Sequence, residues 1–326
     1  MYDAVRDAGL LASGRPVVVM FSGGRDSTCL LDLAVRIAGP DAVTAVHANY
    51  GLRGAADADE RHCAEVCEAL AVQLDVRRPV RSGASGSAAG GAGEGNLQAW
   101  ARAERYRAAN DLAIARGADV AAGHTRSDQV ETILYRIASS PSRRALLGMR
   151  ARQDSRPALI RPLLAFTREQ TAAYCTERGL RWREDESNES AAFARNRIRR
   201  ELIPALERIH PAAQENVLAL AAVLRDEADV LEEVVAAALD GAQDRIALER
   251  LRELHPAVRR LVIQRLADGA AGRPAAGVAR RAEEIAAMRE GAELHLPAGV
   301  CAQVRDGVLR LGRTERERSP QERPEP

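Results

Sequence analysis

Val17-Val18-Val19-Met20-Phe21 runs directly into Ser22-Gly23-Gly24-Arg25-Asp26-Ser27, and a helical pattern follows from Thr28 to Ala38. The first five residues predict an apolar strand, and the two glycines a tight turn. Glycine can take positive φ and let backbone N–H groups close on an anion. The helix beyond adds its unbonded N-terminal N–H groups and the positive end of its dipole. Strand, Ser-Gly-Gly turn and helix together predict a phosphate cradle. It is not a Walker A loop, which needs G-x-x-x-x-G-K-[ST]; the chain has no lysine at all. An ordinary βα turn has the same outline, so the surrounding sequence must decide.

Outward from this stretch, strand and helix patterns alternate up to about residue 165. Strands are expected at Ala42–Asn49, Gln73–Val80 and Asp119–Gly123, and helices at Ser27–Ala38, Asp57–Leu70, Leu97–Arg116 and Asp128–Ala138. This alternation predicts an α/β fold with a doubly wound parallel sheet, whose ligands sit at the carboxyl ends of the strands. Residues 82–95, rich in glycine, serine and alanine, read as a flexible loop. Further helices at 167–179 and 195–208 close a first domain, taken as 1–208, and Pro204 and Pro211 bracket a hinge. Helices at 212–239, 246–267 and 275–290, with a hairpin of Leu294–Leu296 and Val304–Leu311, form a mainly helical second domain over 212–312. The charged, proline-rich end, 313–326, is expected to be disordered.

Composition narrows the class. At 326 residues the chain is long enough for two cores, and with aromatics at only 3% those cores must be aliphatic. The formal net charge of +1 excludes a uniformly basic nucleic-acid binder, so local clusters carry any such function. No apolar run is long enough to span a membrane. Five cysteines without a C-x-x-C pair, and no leader segment, point to a reducing cytoplasm.

Candidate site residues fall at the predicted strand ends. The cradle supplies Ser22, Gly23, Gly24, Arg25, Asp26 and Ser27, and His47 and Asn49 close the second strand. His124 follows the strand beginning at Asp119, in Gly123-His124-Thr125-Arg126-Ser127-Asp128-Gln129-Val130-Glu131-Thr132. Asp128 and Glu131 are three apart on one helix face, a spacing that suits a bound cation, metal or ammonium; acidic residues there also complement the helix dipole. Arg102 and Arg105 lie together on a helix. Arginines gather again at Arg143, Arg144, Arg150, Arg152, Arg156 and Arg161, and in Ala194–Arg200 around Arg195. The guanidinium fork suits phosphate oxygens, although most such runs are solvated faces.

The Ser22–Ser27 loop resembles the SGGxDS pyrophosphate loop of N-type ATP pyrophosphatases. In unbroken order, SGGRDS, HANYGLR, ARAERY, GHTRSDQVET, LLGM, IRPLL, WREDESN and ARNRIRREL resemble the tRNA(Ile)-lysidine synthetase family, covering residues 16 to about 210. The resemblance implies an adenine nucleotide alpha hydrolase-like fold and ATP-dependent joining of free lysine to C2 of the wobble cytidine of tRNA(Ile) with a CAU anticodon. Lysidine, AMP and pyrophosphate are the products. It further implies that the Ser22 loop holds pyrophosphate and that Asp26 lies near Mg²⁺. His47 and Asn49 would border adenosine, and Asp128 and Glu131 receive the lysine. Arg102, Arg105, His124, Arg143, Arg144 and Arg195 are weaker candidates for substrate and tRNA contacts. The helical remainder would dock tRNA, and a homodimer is admitted.

The chain departs from that pattern in three places. Tyr50 stands where the family usually has His, Ser127 where a second acid is frequent, and Ser139–Ala145 has none of the glycines of the family's R-G-S-G-x-x-G turn. Two other readings stay open: a tRNA 2-thiolation enzyme, which the lack of paired cysteines disfavours, and a tRNA-binding relative without catalysis, which the intact SGGRDS loop disfavours.

Overall fold

The computed structural model describes residues 1–51, 54, 56–80, 94–140, 143–183 and 194–314. Most of the expected flexible loop, the acidic run Glu184–Asn188, Pro141, Ser142 and nearly all of the expected disordered tail lie outside the described residues.

The chain divides into two compact units, Met1–Ala222 and Val223–Pro326. In the first, α1 (Tyr2–Asp7) precedes β1 (Val17–Met20), α2 (Arg25–Ala38), β2 (Val43–Ala48), α3 (Ala56–Ala69) and β3 (Gln73–Arg77). Then come α4 (Glu94–Arg116), β4 (Asp119–Ala121), α5 (Arg126–Ser139), β5 (Arg152–Gln153), β6 (Leu159–Ile160) and α6 (Arg168–Glu177). The sheet order is β3-β2-β1-β4-β6-β5, parallel throughout except for the edge strand β5. Order reverses on either side of β1, so the loop after β1 lies where a doubly wound sheet opens a crevice.

The apolar run of β1 is continuous because both of its faces are covered. Val17, Val19 and Phe21 enter a core shared with Leu30, Leu31, Leu33 and Ala34 of α2 and Tyr174 of α6. Val18 and Met20 point the other way, onto Ala109, Leu112 and Ala113 of α4. The alternation is the period of two expected of a strand. Burying a leucine or valine here contributes roughly 1.5–3 kcal/mol, so this sandwich of α2, sheet and α4 rigidly positions the loop at the end of β1.

The first unit extends further than the proline bracket suggests. Beyond α6, α7 (Ala194–Arg197) passes through a wide π-turn at Ile198–Leu202 into α8 (Ile203–Ile209). Pro204 has no N–H for an ordinary helical bond, and the π-turn lies immediately before it. The long α9 (Ala213–Leu239) follows. Val217 and Leu218 of α9 pack against Val130 and Leu134 of α5 and Ile198 and Ile203. The division therefore falls at Ala222, inside α9, and not at a hinge near Pro211.

The second unit is less helical than its composition implies. The helix expected over 246–267 is three elements: β7 (Arg245–Ala247), α10 (Leu248–Glu253) and α11 (Pro256–Ala271). Pro256 forces the residue before it out of helical conformation, and His255 caps the new helix with its side chain. Of 275–290 only a 3₁₀ turn and the short α12 (Ala282–Ala286) are helical. The expected hairpin becomes three strands, β8 (Glu293–Leu296), β9 (Val300–Arg305) and β10 (Val308–Arg313). The β9–β10 turn at Asp306-Gly307, both at positive φ, falls inside the stretch read as one strand. They join β7 in an antiparallel sheet, β7-β10-β9-β8. Among the described residues no helix is long and apolar enough to cross a membrane.

Candidate active site

Gly23 bends the chain after β1 at φ +76°, and a β-carbon there would lie 3.0 Å from the Cys63 Sγ. Gly24 is the N-cap of α2 and its carbonyl takes the Ser27 hydroxyl at 2.8 Å and the Thr28 hydroxyl at 3.1 Å. The loop's N–H groups are held more loosely. That of Ser22 reaches the Ser27 hydroxyl at 3.3 Å, and that of Gly24 the Ser22 hydroxyl at 3.4 Å. Long bonds of this kind are readily exchanged for an oxyanion. Gly123, leaving β4, closes the cradle: a β-carbon would lie 3.2 Å from the backbone carbonyl of Asp26 and 3.3 Å from the Ser27 nitrogen. Only a residue without a side chain lets this turn abut the start of α2.

Asp26, the second residue of α2, accepts the Thr171 hydroxyl at 2.5 Å and Arg25 Nε at 3.1 Å on its Oδ1. Its Oδ2 faces Arg168 at 3.9 Å. His47 and Asn49 lie at the carboxyl end of β2, yet both are buried and engaged. The His47 Nδ1 is 3.0 Å from the Phe21 carbonyl and 3.3 Å from Cys63 Sγ. Asn49 donates to Glu60 at 2.8 Å and Asp57 at 3.2 Å, and accepts from the Gly51 N–H at 2.9 Å. These two side chains brace the crevice.

The acidic pair is occupied by the protein's own cations. Asp128 does cap α5: its Oδ2 accepts the Thr125 N–H at 2.8 Å and the Thr125 hydroxyl at 2.7 Å, completing a capping box. Its Oδ1 meets Arg168. Glu131 is only 3% exposed and takes Arg168 Nη1 at 2.7 Å together with Arg199 at 2.7 and 3.2 Å. Burial would push the Asp128 carboxyl up, but Arg168, the Thr125 bonds and His124 outweigh it and hold it below its ordinary value. The two carboxylates lie together as their spacing predicts, and Asp128 alone caps the helix; the cations on them are Arg168, not singled out in the sequence, and Arg199, read only as part of a cluster. Arg168 carried a signal. It is the first residue of α6, after the N-cap Thr167, where the helix dipole disfavours a cation. Arg199, rather than the Arg195 singled out above, is the member of its cluster that reaches Glu131.

Beside this pair lies a buried cluster of His124, Arg105 and Arg161, here called the recess. His124 Nδ1, Arg105 Nε and Arg161 Nε are buried and have no hydrogen-bond partner among the described residues. Arg102 is exposed, stacks over the Tyr106 ring at 4.8 Å and donates to its hydroxyl at 3.2 Å. Burial first, then the charges of Arg161, Arg102 and Arg105, pushes the His124 imidazole down to about 4 against the opposing pull of Asp128. His124 is thus neutral near pH 7. Burial also lowers Arg161, and Arg102 adds to it. Buried donors without acceptors are costly, and an oxyanion would satisfy them. Arg161 was read only as the end of an arginine run. Tyr50, at the family's histidine position, donates to the Ala101 carbonyl at 2.6 Å and packs edge-on against Trp100. Arg143 and Arg144 open a 3₁₀ turn after α5, and Arg195 is exposed on α7.

Residues 4–206 match the PP-loop domain family. A tRNA(Ile)-lysidine synthase of Salinispora tropica is 36% identical across 90% of this chain and 90% of its own length. That of Symbiobacterium thermophilum is 34% identical across 98% of this chain and 70% of its own. The chain belongs to the tRNA(Ile)-lysidine synthase family. It covers less of some members: 39% identity to the Pseudomonas fluorescens synthase extends over 66% of this chain and 47% of that protein. Against such Pseudomonas synthases the chain spans about half of the relative's length. Among solved structures, a tRNA thiolase of Methanococcus maripaludis with an iron–sulfur cluster superposes with a TM-score of 0.55 over 69% of this chain and 78% of its own. At 14% identity that likeness shows the shared fold alone.

Proposed function

We infer that this chain joins lysine to C2 of the wobble cytidine of a tRNA(Ile) with a CAU anticodon, using ATP and passing through an adenylated tRNA. The observation that carries the reading is the juxtaposition of an anion cradle with a buried carboxylate pair. Thr171 and Arg168 of α6 link them, Thr171 on Asp26 and Arg168 on Asp26, Asp128 and Glu131. An adenylating ligase that takes a cationic amine needs both. In the first step the cytidine C2 oxygen forms a bond to the α-phosphorus and pyrophosphate leaves. In the second the lysine ε-amine bonds to C2, AMP departs with that oxygen, and the amine loses a proton.

The residues divide this work. Backbone N–H groups of Ser22, Gly23 and Gly24, the Ser22 and Ser27 hydroxyls and the start of α2 hold the departing pyrophosphate. Asp26 fits Mg²⁺, because Oδ2 of this half-buried carboxylate meets only a distant guanidinium among the described residues; the ion would neutralise charge on the phosphates. Asp128 and Glu131 hold the lysine. An Asp128 carboxyl kept below its ordinary value serves as an anchor for positive charge rather than a strong proton acceptor. The recess of His124, Arg105 and Arg161 receives a phosphate of the tRNA, with Arg102 at its rim, and the exposed Arg195 and the Arg143–Arg144 turn contact the backbone further out. The second unit docks the tRNA body, and the reaction belongs in the cytoplasm.

The test is incubation of the purified chain with ATP, labelled lysine and an isoleucine tRNA transcript bearing a CAU anticodon. Label in the tRNA, dependent on ATP and lost when the wobble cytidine is replaced by uridine, is expected. AMP and pyrophosphate released with tRNA but without label incorporation would point to another nucleophile. Binding with no pyrophosphate release would leave only a tRNA-binding relative.

A further inference from the structure

The second unit holds a cluster that the ligase reaction does not use. On β8, Glu293 and His295 are two apart and so share one face of the strand. In the β8–β9 register His295 stands opposite Cys301 and Glu293 opposite Gln303, which brings all four to that face. Leu294, Leu296, Val300 and Ala302 turn the other way into the core. Glu293 Oε1 lies 3.1 Å from Cys301 Sγ and 3.6 Å from His295 Nε2, and the three ligand atoms all lie within 4.8 Å of one another. Gln303 donates to the other carboxylate oxygen at 3.1 Å, turning Oε1 toward the thiol.

We propose that Glu293, His295 and Cys301 form a zinc site on the outer face of this sheet, with water as the fourth ligand. The donor set is one thiolate, one imidazole and one carboxylate. That mixture suits a borderline ion such as Zn²⁺ and not Mg²⁺ or Ca²⁺, which require oxygen throughout. Tetrahedral Zn²⁺ with ordinary bond lengths separates S from O and N from O by roughly 3.3–3.5 Å, and the two closest separations here fall on either side of that range. The Cys301 thiol now donates to Glu293; the ion would take the place of that proton. Gln303 serves as the outer partner that orients a ligating carboxylate. A bound ion would tie β8, an edge strand, to β9 by side chains as well as backbone, in the position where sheets are most exposed to fraying.

The site is independent of the ligase reading and is tested on the full chain after removal of metal by chelator dialysis. Titration with Co²⁺ is expected to give one equivalent of tetrahedral cobalt with a thiolate-to-metal charge-transfer band, displaced by Zn²⁺. Cys301→Ser should abolish the band while Cys29, Cys63, Cys67 and Cys175 of the first unit remain. His295→Ala, an exposed change that leaves the core untouched, should weaken Zn²⁺ at least as much as loss of an outer-shell partner, about 10- to 100-fold. Gln303→Ala should fall in that same range. Zn²⁺ should raise the unfolding midpoint of the wild type and not of Cys301→Ser. The proposal is overturned if the wild type gives no thiolate band, if the band survives Cys301→Ser, or if His295→Ala binds Zn²⁺ as tightly as the wild type.

Discussion

At the Ser22–Ser27 loop the N–H groups of Ser22 and Gly24 reach neighbouring hydroxyls at 3.3 and 3.4 Å, whereas around Glu131 two guanidiniums close on one buried carboxylate at 2.7 Å. One end of the site offers loosely held donors that a phosphate replaces at little cost. At the other end charges are already compensated, and the ammonium of the proposed substrate would have to share carboxylates with Arg168 and Arg199 or displace them. Nucleotide binding should therefore be intrinsic to the folded chain, while lysine binding should depend on rearrangement of the guanidiniums.

The widest effect is expected at the hinge of this contrast, Asp26. Asp26→Ala removes the carboxylate assigned to the metal and should lower tRNA-dependent pyrophosphate release by about 1,000-fold or more, several kcal/mol of charge stabilisation. Circular dichroism should be unchanged; normal release would remove Asp26 from the site. Next comes Arg168→Met, which strips the shared cation from two largely buried acids. A loss of about 3 kcal/mol in urea unfolding is expected. A loss below about 0.5 kcal/mol would mean that the acidic pair is not latched. Glu131→Gln should raise the KM for lysine roughly 10- to 150-fold, the worth of a charge-assisted contact of about 1.5–3 kcal/mol. The KM for ATP should not move, and an equal rise in both would erase the distinction between the two ends.

The smallest effect is a slope. His124 titrates at about 4 in the folded chain against 6.5 when unfolded. Between those values the unfolded state binds the extra proton, so stability falls as pH drops from 6.5 toward 4, by at most about 1.4 kcal/mol per unit. His124→Gln should flatten unfolding free energies over that window. An unchanged slope would remove His124 as the source of acid sensitivity in this window; Asp128, held below its ordinary value, loses its contribution only at lower pH and would not replace it.

The first unit was largely legible because its signals are local. An apolar strand entering Ser-Gly-Gly specifies a βα turn, whereas the capping pair Thr125 and Asp128 went unread, and the helix that begins at Arg126 was expected only from Asp128. The pairing of the arginines with Glu131 was not legible, since Arg168 and Arg199 lie 37 and 68 residues beyond it and meet it only through the fold; Arg168's place at a helix start marked it as unusual but named no partner. His47 and Asn49 were placed correctly at the strand end, but their partners, the Phe21 carbonyl and Glu60, could not be read from spacing. In the second unit short apolar runs were ambiguous between helix and strand. Pro256 and Asp306-Gly307 were the breakers that should have divided them.

The cation resting on Glu131 and Asp128 is a guanidinium, and every one of the chain's 47 basic residues is arginine. A guanidinium stays protonated at any pH a protein experiences and has no free lone pair with which to attack carbon. Under the proposed reaction, a lysine in the place of Arg168 would set its own amine where the substrate's amine is to arrive, and that amine would compete to become the product. Under that reading, arginine at this position gives the acidic pair a positive charge that cannot itself act as the nucleophile.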